Sequence, residues 1–117
     1  MLTTDSILEQ VKSAPDQVQF KEVISVIENE YTFTATSFTN GQLVNGLNEN
    51  NGSCKIFYFA QLHQLSPEET LPLFGHFYRI DVLENPEGTD HQNIRQFMQH
   101  GWDGIAFDGV ALSKKAE

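Results

Sequence analysis

The sequence predicts a mixed α+β fold, with about five helices packed around two short antiparallel β-hairpins. Two observations predict it. Apolar residues recur at three- and four-residue spacing behind helix-capping signatures. Elsewhere two stretches alternate in polarity instead, each holding a turn pair, Asn40-Gly41 or Asp108-Gly109. The chain has 117 residues, 39% of them hydrophobic, and nine are Phe, which suffices for a core without staples. No linker, repeat or low-complexity segment divides it, so 1–117 reads as one domain.

Thr4 is placed to cap a first helix carrying Ile7, Leu8 and Val11. Ala14-Pro15 stops it, because Pro disfavours helical geometry in the residue before it. Asp16 is placed to cap a second helix, with Gln19 in the reciprocal position and Phe20, Val23, Ile24 and Ile27 as its apolar stripe. The period then changes. Tyr31 to Phe38 alternates, with Phe33 and Ala35 on one face and Thr32, Thr34 and Thr36 on the other. A turn at Asn40-Gly41 returns the chain through Gln42 to Val44.

Ser53 is placed to cap a third helix running to about Leu65. Ser66-Pro67-Glu68-Glu69 opens a fourth, with Pro at the first helical position and Glu69 completing the capping box. Pro72 should kink that helix. Gly75 within it costs roughly 1 kcal/mol relative to Ala, which close packing against another backbone would offset. Asn85 to Gly88 ends it. Thr89 and Gln92 open a fifth helix, closed by Gly101. Residues 105–112 read as the second hairpin, and the tail from Ser113 as frayed.

Charge excludes several functions. Acidic residues outnumber basic ones by 16 to 7, a net charge of −9. Nucleic-acid binding relies on a basic footprint, and none is present. Anionic membranes are disfavoured for the same reason, and no apolar run approaches the roughly 20 residues of a membrane helix. A single Cys forms no internal disulfide, and the N-terminus has no signal-peptide pattern, so the cytosol is the expected compartment.

Residues 74–104 concentrate the chemistry. They hold two Arg, three His, a Tyr, a Trp and three Asp in thirty-one positions. Tyr78, Arg79, Asp81, Asp90, His91, Arg95 and Trp102 form the candidate ligand-binding set. His91 and Arg95 lie four apart on one helix face, suited either to a carboxylate or phosphate or to an internal contact with a loop carbonyl and Asp81. Arg79 and Asp81 suit a site or an interhelical salt bridge. Trp102 suits a core lid or an anchor for a partner. Cys54, near a helix start, is either a nucleophile or a buried small hydrophobe. His63, on an apolar face, reads as a core His with one backbone hydrogen bond. No H-x-x-x-H or C-x-x-C spacing supports a metal, and no Gly-rich segment matches a phosphate or dinucleotide loop, so no cofactor is expected.

Residues 50–63 (NNGSCKIFYFAQLH), 73–98 (LFGHFYRIDVLENPEGTDHQNIRQFM) and 100–107 (HGWDGIAF) resemble the HopJ family, named for a type III effector of plant-pathogenic bacteria. The likeness spans roughly residues 15–113. It implies a bacterial origin and, as an alternative compartment, delivery into a host cell. It implies no reaction. Two readings follow: a non-catalytic module that binds a protein partner or a small molecule, or a small enzyme with His91 as acid–base and Cys54 as nucleophile.

Overall fold

A computed structural model describes residues 3–115. It is α+β. The described residues form five α-helices, one π-helix and two small antiparallel sheets around a shared apolar core.

Helix α1 (Thr4–Ser13) is capped by Thr3, one residue before the expected cap, whose hydroxyl accepts from the Ser6 N–H. Pro15–Gln17 make a 3₁₀ turn. Helix α2 (Phe20–Glu30) therefore begins four residues after Asp16, and its N-cap Gln19 makes no side-chain cap. The Asp16 capping box does not form, because Pro15 starts its own short turn. Both helices bury the expected stripes, with Ile7, Val11, Val23 and Ile27 in the core.

The hairpins are the main correction. Strand β1 (Tyr31–Phe33) pairs with β5 (Leu112–Lys114), with Phe33 opposite Leu112. Strand β2 (Phe38–Asn40) sits between β3 (Leu43–Asn45) and β4 (Ile105–Phe107). Only the β2–β3 turn forms as a hairpin, with Gly41 at φ +62. The alternating run 31–38 is thus split between two sheets, and 105–112 does not fold on itself. Long-range pairing overrides the local turn signal. Asp108 N–H donates to Ser37 O at 3.0 Å, and the Ser37 hydroxyl donates to the Asp108 carboxylate. Thr34 N–H donates to Ala111 O at 2.8 Å. Ser113 and Lys114, expected to fray, are strand residues.

Helix α3 (Asn51–Leu62) starts two residues before Ser53, after Asn50 in left-handed geometry at φ 53. Ser66 caps α4 (Pro67–Thr70) with the complete capping box: its hydroxyl accepts from Glu69 N–H, and Glu69 reaches back to Ser66 N–H. The long fourth helix is broken. Pro72 converts Leu71–Phe74 to a 3₁₀ turn, and Gly75 turns the chain at φ 60. A Cβ there would lie 2.7 Å from the Phe20 backbone nitrogen, so the close approach requires glycine. Phe77–Val82 then form the π-helix, in which Leu83 N–H reaches Tyr78 O, five residues back, at 3.0 Å. Helix α5 (Gln92–His100) follows, closed by Gly101 at φ 58. Its N-cap is His91 at φ 50 rather than Thr89, so Asp90 lies outside the helix.

Candidate functional site

Three helix starts meet around one cleft. Phe20 opens α2, Gly52 and Ser53 lie in the first turn of α3, and His91 to Ile94 open α5. With Phe74 and Phe77 they line a cleft of about 380 Å³. The first N–H groups of a helix have no intrahelical acceptor, so its start presents donors and partial positive charge.

His91 is fixed from several sides. Its carbonyl accepts from Ile94 and Arg95 N–H at 3.0 and 3.1 Å. Its ring Nε2 lies 3.1 Å from Asp81 Oδ2 and 3.9 Å from Asp90 Oδ2. The ring centroid is 5.2 Å from that of Phe77. The expected approach of α5 to the preceding helix is therefore made by His91 and Asp81.

An asparagine network holds the start of α5 in place. Asn40 is fully buried in β2 and donates from Nδ2 to Asn93 O at 2.7 Å and to Asn93 Oδ1 at 3.0 Å. Asn45 Nδ2 donates to Asn93 Oδ1 at 3.1 Å, and Asn93 Nδ2 returns a bond to Asn45 Oδ1 at 3.0 Å. Asn50 Nδ2 also donates to Asn45 Oδ1, at 2.7 Å. The network ties the central sheet to the starts of α3 and α5, which edge the cleft.

The other candidate residues disperse. Arg95 uses its donors internally: Nε to Asp90 O and Nη2 to Asp90 Oδ1, both at 2.6 Å, and Nη1 to Asn85 O at 2.9 Å. Gly88 leaves room for it, since a Cβ there would lie 2.7 Å from Arg95 Nη2. The Arg95 hydrogen bond holds the Asp90 carboxyl below its ordinary pKa. Arg79 turns the other way and donates to Pro15 O at 3.2 Å and Val18 O at 2.9 Å, so it forms no salt bridge with Asp81. Tyr78 lies on that side, with Val11 and Glu68. Trp102 is a lid: its Nε1–H donates to Leu65 O at 2.7 Å and its ring packs 4.9 Å from that of Phe97.

We expect Arg95→Ala to cost about 1–2 kcal/mol, from lost bonds to backbone carbonyls. Asp90 remains exposed to water, so no buried carboxylate is stranded. Chemical denaturation of the variant checks this. A loss near 4 kcal/mol would show a buried ion pair instead.

Cys54 is fully buried, with Sγ 3.9 Å from Thr36 O. Burial pushes its thiol above the ordinary pKa, opposing thiolate formation. Its N–H is already bonded to Asn50 O. Native alkylation at neutral pH should leave it unlabelled, whereas rapid stoichiometric labelling would restore the nucleophile. His63 lacks the expected backbone bond. Its Nε2 lies 2.8 Å from the Tyr31 hydroxyl, and burial lowers its pKa.

Phe20, Ser53, Phe77 and Asn93 were not legible as site residues. They are 73 positions apart at the extremes, and no local spacing links them.

Comparison with known proteins places this geometry in context. The family model described as HopJ type III effector protein matches residues 4–112. No curated protein matches the chain. The crystal structure of a protein of unknown function, VPA0580, shares 51% sequence identity over 95% of this chain and 92% of that one, with a TM-score of 0.93.

Proposed function

This chain belongs to the HopJ type III effector family, and on that premise we propose that it is a non-catalytic binding module in a single domain, with its ligand site in the cleft at the starts of α2, α3 and α5. One observation carries the reading. A cleft of about 380 Å³ joins an apolar wall, Phe20, Phe74 and Phe77, to a rim of Ser53, His91 and Asn93. Ligand sites combine an apolar lining with a few placed polar groups in this way. The ligand is a small molecule whose apolar body lies against the Phe rings and whose acceptor-bearing end meets the helix starts. Within the original candidate set, His91 faces the ligand and Asp81 holds it. Asp90 and Arg95 brace the loop behind it.

The enzyme reading, with His91 as acid–base and Cys54 as nucleophile, lacks a paired geometry. Cys54 bonds toward Thr36, is fully buried and does not line the cleft, whereas His91 does. The cytosol is the compartment of this reading. Delivery into a host cell is the alternative that the family description carries.

The test is a small-molecule library screened by thermal shift against the full chain and Ser53→Tyr, which places a ring in the cleft. Binding to the native state raises apparent stability. Ligands that raise Tm of the full chain and not of the variant are expected. Ligands that act equally on both, or none, would overturn the assignment.

A further inference from the structure

Adjoining that cleft through Gln92, a groove of about 330 Å³ between the π-helix and α5 has Leu83, Pro86, Glu87, Arg95, Met98 and Gln99 in its lining. We infer that this groove docks a basic segment of a partner protein, anchored by an apolar side chain. Val82 at the end of the π-helix is buried, while Ile80 within it is 50% exposed, and Leu83 just after it and Met98 across the groove are 48% and 45% exposed. Large apolar side chains clustered on a surface mark a contact face, and Met adapts to varied partners.

Charge selects the occupant. Residues 80–90 carry four carboxylates, Asp81, Glu84, Glu87 and Asp90, and no Lys occurs between Lys55 and Lys114. The nearby cations are spent internally: Arg95 is bonded to Asp90 and loop carbonyls, and Arg79 to Pro15 and Val18. Glu84 and Glu87 are exposed and belong to none of the described salt bridges, and Arg95, which lines the groove beside Glu87, is paired with Asp90 instead. The groove therefore offers Leu83, Pro86 and Met98 as apolar contacts within a stretch, residues 80–99, whose four carboxylates outnumber its one Arg. A second copy of this chain, at −9, would meet it with like charge. An anionic membrane is repelled equally. A segment with Lys or Arg flanking Leu, Met or Phe meets both features, in the manner of peptides seated in helix-lined grooves.

The experiment is selection of a displayed library of random peptides of roughly a dozen residues, long enough to fill one groove, on the full chain. Affinities of the enriched peptides are then measured on Leu83→Ser/Met98→Ser and on Val44→Ser/Val110→Ser, whose side chains are exposed elsewhere. Enriched peptides should carry Lys or Arg around an apolar anchor. They should bind the groove variant about tenfold more weakly, as loss of an anchor contact does, and the control variant unchanged. A melting curve confirms that the groove variant folds. If it does not, Glu84→Lys/Glu87→Lys is used, with the same loss expected. No enrichment, acidic peptides, equal binding to both variants, or a dimer of the free chain dissolved by Leu83→Ser/Met98→Ser would each overturn the inference.

Discussion

Deleting residues 1–30 should abolish cooperative unfolding. That segment supplies Ile7, Val11, Val18, Val23, Val26 and Ile27, all buried in the shared core. Each contributes about 1.5 kcal/mol or more on burial, so together they match the roughly 5–15 kcal/mol by which a domain is stable at all. The segment also closes polar accounts elsewhere. The Glu30 carbonyl accepts from Lys115 N–H at 3.0 Å. Arg79 would lose both carbonyl partners, Pro15 and Val18. Thermal melts by circular dichroism check the prediction. A truncated chain that melts as sharply as the full one would contradict it, and would favour a detachable N-terminal secretion signal.

Asn93→Ala should cost roughly 2–4 kcal/mol, because it leaves buried polar groups without partners. Asn45 Nδ2 loses its acceptor, and Asn40 Nδ2 keeps only the Asn93 carbonyl. Asn93→Asp should do no better. It retains acceptors for Asn40 and Asn45 but turns a carboxylate oxygen toward Asn45 Oδ1, which Asn93 Nδ2 now satisfies. Urea denaturation of both variants measures the effect. Losses under 1 kcal/mol would show that water replaces the network readily and that the start of α5 is held by packing alone.

The helices were largely legible because their signals are local. The Ser66-Pro67-Glu68-Glu69 box lies within four residues, and the stripes of α1 and α2 repeat within single helices. The sheets were not, because β1 pairs with a strand about eighty positions away and β2 with one nearly seventy away. Turn chemistry at Asp108-Gly109 suggested a hairpin, and Ser37 claimed Asp108 instead. The same division holds for the site. The sequence singled out His91 beside Asp81, ten positions apart across one connection. It also grouped Arg79 and Trp102 with them by proximity along the chain, whereas the break at Pro72 and Gly75 and the π turn direct Arg79 toward Pro15 and Val18. Phe20 and Ser53 reach the cleft only because α2 and α3 begin there.

Amide chemical-shift mapping with a ligand taken from the thermal-shift screen tests the binding cleft most directly. The largest shifts should fall on Phe20, Gly52, Ser53 and His91 to Ile94, at the three helix starts, and on Phe77 beside them. Shifts confined to other faces, such as the Tyr78 and Arg79 side or the strands, would contradict the account and move the site away from the cleft.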